Sequence, residues 1–459
     1  MVALALLSGG ACRRTRLSRG DAASVVVASP RRDAPAARSL PEREPNDSPE
    51  HAQLLALNAE WPVMDIEGMV CSQPDQKDGK DVDVFKLVIP GSAAPDRPVT
   101  AFDSAPPEDV RRTARRLSLD IATDGGSVSL QLLDEGLKVL ESVAAESGGT
   151  AGLPNIAVQP GRSYYFRVKA TGKSGKQVSA MAPCNYKLSV QLGDFDVADE
   201  REPNDTAESA EALAMEGVAE LAGFYGWQHD QDFFRVPAPD VASALDLVVD
   251  AVEGVTPGLQ VLTGSGSKLA VAKGRRGERL ALHNVRIGAA VVDAGAPSTT
   301  FYVVVKSEAG QNRSQRYVLH LSLGALKQDT EVEPNDVAGN ATPVHDGIMS
   351  GFLASSDVDY FLYEPIDPRE ISVEVSFPAR VRGKVEISRA GRPDIIASAQ
   401  TPKARQHISI SKVVNLGQPL LLRIAPVRAD GNANEPYSLR ISSTPSITET
   451  QIPEIRVLP

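Results

Sequence analysis

Glu42-Arg-Glu-Pro-Asn-Asp47 returns as Glu200-Arg-Glu-Pro-Asn-Asp205 and, with one change, as Glu331-Val-Glu-Pro-Asn-Asp336. The copies begin too far apart for a solenoid unit, so each marks a whole domain. A second landmark follows each copy: Gly68-Met-Val before Asp81-Val-Asp-Val-Phe85, Gly223-Phe-Tyr before Asp230-Gln-Asp-Phe-Phe234, and Gly351-Phe-Leu before Asp357-Val-Asp-Tyr-Phe361. Each unit closes on a Tyr-led alternating segment, Tyr186-Lys-Leu-Ser-Val190, Tyr317-Val-Leu-His-Leu321 or Tyr437-Ser-Leu-Arg-Ile441. Three ordered matches per copy identify a tandem triplication, and 459 residues accommodate three domains.

Between the landmarks the hydrophobic period is two, the mark of half-buried strands. Leu117, Leu119 and Ile121 alternate with polar residues, as do Val128, Leu130 and Leu132. The second unit shows Leu245, Leu247 and Val249, then Leu259 and Val261; the third shows Ile371, Val373 and Val375, then Val385 and Ile387. The only helix candidates are short, at residues 50–57 and 207–215. The pattern predicts an all-β chain of three tandem antiparallel β-sandwich, jelly-roll-like domains. The expected limits are a signal-like segment at 1–12, a disordered tether at 13–40, sandwiches at 41–195, 196–326 and 327–445, and a tail at 446–459. The linkers are short enough to predict a stiff rod.

Acidic residues outnumber basic ones, for a formal net charge of −11, which disfavours nucleic acid as a partner. Six histidines leave little material for general bases, and no nucleophile elbow, zinc-protease helix or phosphate-binding loop is present. An enzyme is not expected. The opening, an apolar run through Leu7 and small residues leading to Cys12, resembles a bacterial lipoprotein signal. This predicts export to the outer membrane, cell surface or periplasm, with contact to the membrane through a lipid anchor on Cys12 alone. Cys71 and Cys184 then remain as an even pair, suited to one disulfide in an oxidising compartment, with two buried thiols as the alternative.

In Glu-Pro-Asn-Asp, the Gly before the next strand, Asp-x-Asp-(Tyr/Phe)-Phe and the closing Tyr strand, the chain resembles the bacterial pre-peptidase C-terminal domain family, which includes the collagen-binding domains of clostridial collagenases. The resemblance spans about residues 41–445. It implies jelly-roll-like, non-catalytic sandwiches of the kind appended to secreted peptidases, where they assist secretion or bind substrate polymers. This chain differs in carrying no recognisable peptidase domain.

Three carboxylates and an amide oxygen within six residues, with two more carboxylates on the next strand, form a hard-oxygen donor set suited to Ca²⁺. The resemblance implies the ligand sets Glu42, Glu44, Asn46, Asp47, Asp81 and Asp83; Glu200, Glu202, Asn204, Asp205, Asp230 and Asp232; and Glu331, Glu333, Asn335, Asp336, Asp357 and Asp359. In an extended Asp-x-Asp both side chains share one face of the strand and can point at one ion. The alternative is structural: Pro-Asn-Asp is also a good turn, and Asp before a strand caps a loop. The aromatic cluster of the second domain offers Tyr225 and Trp227 as a platform for a sugar ring or peptide, against a core role. Arg275-Arg276-Gly-Glu-Arg279 reads as a solvated basic turn. The expected function is an exported, non-catalytic array of binding or structural modules, adhesive to an extracellular polymer or protein and calcium-stabilised. The alternative is an escort subunit for a separate secreted peptidase.

Overall fold

A computed structural model describes residues 37–70, 81–91, 113–171, 184–213, 217–288, 291–293, 296–355, 357–392, 394–401, 407–415, 417–428 and 431–445. Cys12, Cys71, the segment 71–80 and the tail 446–459 lie outside the described residues, as does the tether up to residue 36. The described residues are all-β, with a single 3-10 turn at Ala338–Asn340 and no α-helix.

The first module contains ten strands: β1 (Arg38–Pro41), β2 (Gln53–Leu55), β3 (Val63–Val70), β4 (Val82–Val88), β5 (Arg115–Asp124), β6 (Val128–Leu133), β7 (Val139–Ala145), β8 (Thr150–Val158), β9 (Ser163–Ala170) and β10 (Cys184–Asp194). One sheet runs β1-β3-β10-β5-β8 and the other β2-β4-β9-β6-β7. The eight long strands alternate between early and late chain segments in both sheets, which is the jelly-roll arrangement. The second module repeats it with Val218–Tyr225, Asn312–Gly324, Ser243–Val249 and Leu280–Ile287 facing Glu211–Ala212, Gln231–Pro237, Thr300–Ala309, Thr256–Thr263 and Lys268–Lys273. The third does so with Gly347–Leu353, Asn432–Pro445, Arg369–Ser376 and His407–Asn415 facing Thr342–Val344, Asp359–Tyr363, Leu420–Pro426, Gly383–Arg389 and Ile395–Gln400.

The alternation read from the sequence is the inward face of these sheets. Leu117, Leu119 and Ile121 of β5 meet Val128, Leu130 and Leu132 of β6 in one buried cluster. Leu245, Leu247 and Val249 do the same in the second module, and Ile371, Val373 and Val375 in the third.

Two local expectations are corrected. Residues 38–40, placed in the tether, belong to β1, which pairs in parallel with β3. The segments expected as short helices are instead a turn followed by a two- or three-residue strand, Gln53–Leu55 and Glu211–Ala212. Each pairs in parallel with the strand carrying Asp-x-Asp. Backbone pairing to a neighbour outweighs local helix preference over so few residues. Cys184 is buried at the start of β10, opposite Val70.

Successive modules are joined by backbone. The Glu-x-Glu segment of the second module adds to the edge of β8 at a parallel bridge between Ile156 and Glu202. Glu202 N–H donates to Asn155 O at 3.0 Å, and Ala157 N–H donates to Glu202 O at 2.8 Å. The third module docks on the second in the same way, with Glu333 N–H to Asn284 O at 3.3 Å and Arg286 N–H to Glu333 O at 2.8 Å. Asn155 and Asn284 sit at bulges with φ of 55° and 50°, the left-handed region that asparagine tolerates better than most side chains. Asn284 Nδ2 also donates to Glu331 O at 2.6 Å.

Charge reinforces the first junction. Asp199, 2% exposed, accepts from Arg116 of the first module at 3.3 Å and from Arg316 of the second at 2.7 Å. The basic turn at 275–279 is in solvent as expected, with residues 276–279 exposed, and its backbone also meets the third module: Asn434 Nδ2 donates to Arg279 O at 2.7 Å.

Candidate metal centres

Each copy of the repeated motif folds into the same polar knot. The two glutamates come from the segment entering the module, and the Glu–Pro bond that follows is cis in all three copies. The second aspartate of Asp-x-Asp points inward from its strand. Carboxylate oxygens of Glu42, Glu44 and Asp83 lie within 4.8 Å of one another, as do those of Glu200, Glu202 and Asp232 and those of Glu331, Glu333 and Asp359. In the second and third modules all three acids of the triad are buried; in the first, Glu44 is exposed.

The closing tyrosine completes the knot. Tyr317 lies 2.7 Å from Glu200 Oε2 and 2.6 Å from Asp232 Oδ2. Tyr437 lies 3.1 Å from Glu331 Oε2 and 2.6 Å from Asp359 Oδ2. In the first module Tyr186 donates to Asp83 Oδ2 at 2.7 Å. The tyrosines pair across the sheet with Gly68, Gly223 and Gly351. A Cβ on any of these glycines would overlap the phenol and the neighbouring glutamate carboxylate. The repeated glycine is therefore a packing requirement of the knot. Sequence reading took Gly and Tyr as strand landmarks and did not assign them to the site; the available signal was their recurrence in step with the acidic motif.

Proton counting defines the chemistry. A phenol has one hydrogen, so Tyr317 cannot donate to two carboxylates at once. With Glu200 and Asp232 both ionised, one of the short contacts is an unscreened oxygen–oxygen repulsion. Either a carboxyl is protonated, or a cation neutralises the group.

Burial, reinforced by neighbouring carboxylates, pushes these acids upward: Glu200 to about 8, and Glu202 and Asp232 well above the usual range. Glu331 is likewise raised to about 8 by burial and Asp357, and Asp83 to about 9 by burial and Glu42. Glu200 is partly restrained by Tyr317 and by the Phe224 N–H, which donates to it at 2.7 Å.

The donor set fits a hard cation. Several buried oxygens have no hydrogen-bond partner: Asn46 Oδ1, Asp83 Oδ1, Asp230 Oδ1, Asn335 Oδ1 and Asp359 Oδ1. A buried oxygen without a donor is costly unless a positive charge faces it. No His or Cys belongs to any triad, so the buried acids could hold an oxygen-preferring metal ion.

The remaining candidates divide by position. Asn46, Asn204 and Asn335 are buried beside the triads, and their carbonyls accept from the following strand, as in Phe233 N–H to Asn204 O at 2.9 Å. Asp47 accepts from Val82 N–H at 3.5 Å, and Asp205 from the backbone of Gln231. The first aspartate of each Asp-x-Asp is not in a triad. Asp230 accepts from Gly226 N–H at 2.5 Å, and Asp357 from Ala354 N–H at 3.0 Å, each closing the loop before its strand. Asp81 and Asp230 precede the extended residues and Asp357 lies in the same loop, so the period-two rule does not carry both aspartates to one face.

Tyr225 is 1% exposed and packs on Tyr317 at 5.0 Å between ring centroids, which places it in the core. Trp227 reaches across the junction and packs against the core of the first module.

No family model and no curated protein sequence matches the chain. Similar solved structures include the PBSX exported protein XepA, at 12% identity over 46% of this chain and 76% of that one, with a TM-score of 0.15. A structure of Sulfolobus turreted icosahedral virus has 9% identity over 78% and 83%, with a TM-score of 0.17. An oxalate decarboxylase of Bacillus subtilis has 10% identity over 47% and 66%, with a TM-score of 0.12. At these scores the likenesses carry no argument about this chain.

Proposed function

We propose that this chain is an exported, non-catalytic array of three jelly-roll modules of the pre-peptidase C-terminal type, and that calcium held at each Glu-x-Glu, Asp and Tyr knot fixes the modules relative to one another. The array presents its surfaces to an extracellular polymer or protein at a constant spacing, where weak contacts gain from being linked. One observation carries the reading. The glutamates of the second and third knots belong to the same backbone segments that hydrogen-bond to Asn155 and Asn284 of the preceding module. An ion there would neutralise the knot and fasten the junction together. Calcium fits this role because it accepts six to eight oxygens in flexible geometry.

Limited proteolysis of the full chain tests the reading. Cleavage within 195–206 and 325–337 is expected to slow at least several-fold in calcium relative to chelator. Equal cleavage rates in the two buffers would contradict a calcium-fastened junction.

A further inference from the structure

We propose that the first and third modules carry the two halves of the internal junction, and that a second copy of this chain docks head to tail by repeating it. Both internal junctions join one backbone segment to one strand edge. The glutamate before the cis proline bonds to Asn155 and Ala157 of β8 in one case, and to Asn284 and Arg286 of strand Leu280–Ile287 in the other. The first module carries the same segment, its head, and the N–H and C=O of Glu44 have no hydrogen-bond partner among the described residues. The third module carries the same edge. Strand His407–Asn415 pairs on one side only, with Arg369–Ser376, and its bulge lies at the same register as that of β8. Lys412 C=O and Val414 N–H therefore stand where Asn155 C=O accepts and Ala157 N–H donates in the first module.

The side chains at the two ends match as well. Leu269, at the bulge of Lys268–Lys273, is 7% exposed beside the third module, whereas Ile396, at the same register of Ile395–Gln400, is 37% exposed. Val414 is 54% exposed on the neighbouring edge. On the head, Met69 follows Gly68 as Phe352 follows Gly351. Phe352 stacks on His283 of the preceding module at 4.1 Å between ring centroids, while Met69 is exposed. Glu44 is exposed where Glu202 and Glu333 are buried, and Lys412 brings the opposite charge to the position that Asn155 and Asn284 hold in the earlier strands. An unpaired edge with exposed apolar residues is a template for another chain. The head of a second copy is the occupant that fits, because this chain makes the same contact twice within itself. The contact joins unlike surfaces, so each addition leaves one head and one edge free and copies add in a row. It rests on backbone pairing and does not require the knots to hold calcium.

Sedimentation velocity of the full chain over a concentration series, in calcium and separately in chelator, tests the inference. The expected result is reversible growth beyond the dimer, with a dissociation constant on the order of 0.1 mM or tighter. Val414→Pro removes the edge donor, a change that an edge strand tolerates when its N–H faces solvent. Ile396→Asp charges the edge at an exposed position without touching the backbone, and Met69→Lys charges the head. Each should weaken association about tenfold or more while the chain keeps its melting transition. Mixed in equal amounts, the Ile396→Asp and Met69→Lys chains should form a dimer and nothing larger, because one keeps its head and the other its edge. Val218→Asp, at an exposed position of the second module, should associate like the unmodified chain. A monomer at every concentration up to about 1 mM in both buffers would overturn the inference. So would association unchanged in Ile396→Asp, which places the contact elsewhere, or variants that stay apart when mixed. A calcium titration run alongside keeps its failure distinct from failure of the calcium reading.

Discussion

Raising the pH from 5 to 8 in excess chelator should weaken this fold, and calcium should suppress that loss. Glu200 and Glu331 are held near 8 by burial and like charges, against an ordinary value of 4.5. A carboxyl whose pKa is raised on folding takes up protons as the chain folds. Its contribution is complete below the unfolded value and disappears as the pH rises through the folded value. Over this window the loss is about 3 kcal/mol for each group. For modules of this size it corresponds to roughly 10 °C in melting temperature. Asp83, pushed to about 9, extends the same slope into mildly alkaline pH for the first module. With calcium bound, the carboxylates are ionised and paired, so the slope should flatten and the calcium-induced rise in melting temperature should grow with pH. Scanning calorimetry at several pH values in each buffer measures both slopes. A melting temperature in chelator that is flat or rises from pH 5 to 8, or equal slopes in the two buffers, would refute the reasoning.

Tyr317→Phe removes the hydroxyl that hydrogen-bonds between Glu200 and Asp232 and should cost about 1–3 kcal/mol; urea unfolding followed by tryptophan fluorescence reads it. Gly223→Ala places a Cβ into the Glu200 carboxylate and the Tyr317 ring and should cost about 3 kcal/mol. Gly324→Ala, in open space in the same module, should cost well under 1 kcal/mol in the same assay. Asn284→Ala deletes side-chain hydrogen bonds to the carbonyls of Lys327, Thr330 and Glu331 and removes a residue suited to positive φ. It should cost about 2–3 kcal/mol and split the second and third modules into separate calorimetric transitions.

The fold was legible because each long strand buries alternate residues. Leu117, Leu119 and Ile121 have a period that a two-sided sheet produces, and they lie on its buried face. The candidate site was legible in its acids and not in its closure. Tyr317 and Gly223 are distant in sequence and meet only through strand pairing, so local chemistry did not link them to Glu200. The short strands Gln53–Leu55, Glu211–Ala212 and Thr342–Val344 are too brief to display a period. Asn155 and Asn284 carried no repeat signal, because the third module has Ser411-Lys412 at the equivalent bulge. Trp227 read as part of a ligand platform or of its own core, since nothing local shows that a neighbouring module covers it.

The central claim is that the three buried carboxylate knots are cation sites. Isothermal calorimetry of the chelator-stripped chain with calcium addresses it most directly. The account predicts saturable binding at a stoichiometry near three, with proton release that grows below pH 8 as the raised carboxyls ionise. Absence of binding heat across this pH range would contradict it and leave Glu200, Asp232 and Tyr317 as a proton-sharing structural cluster.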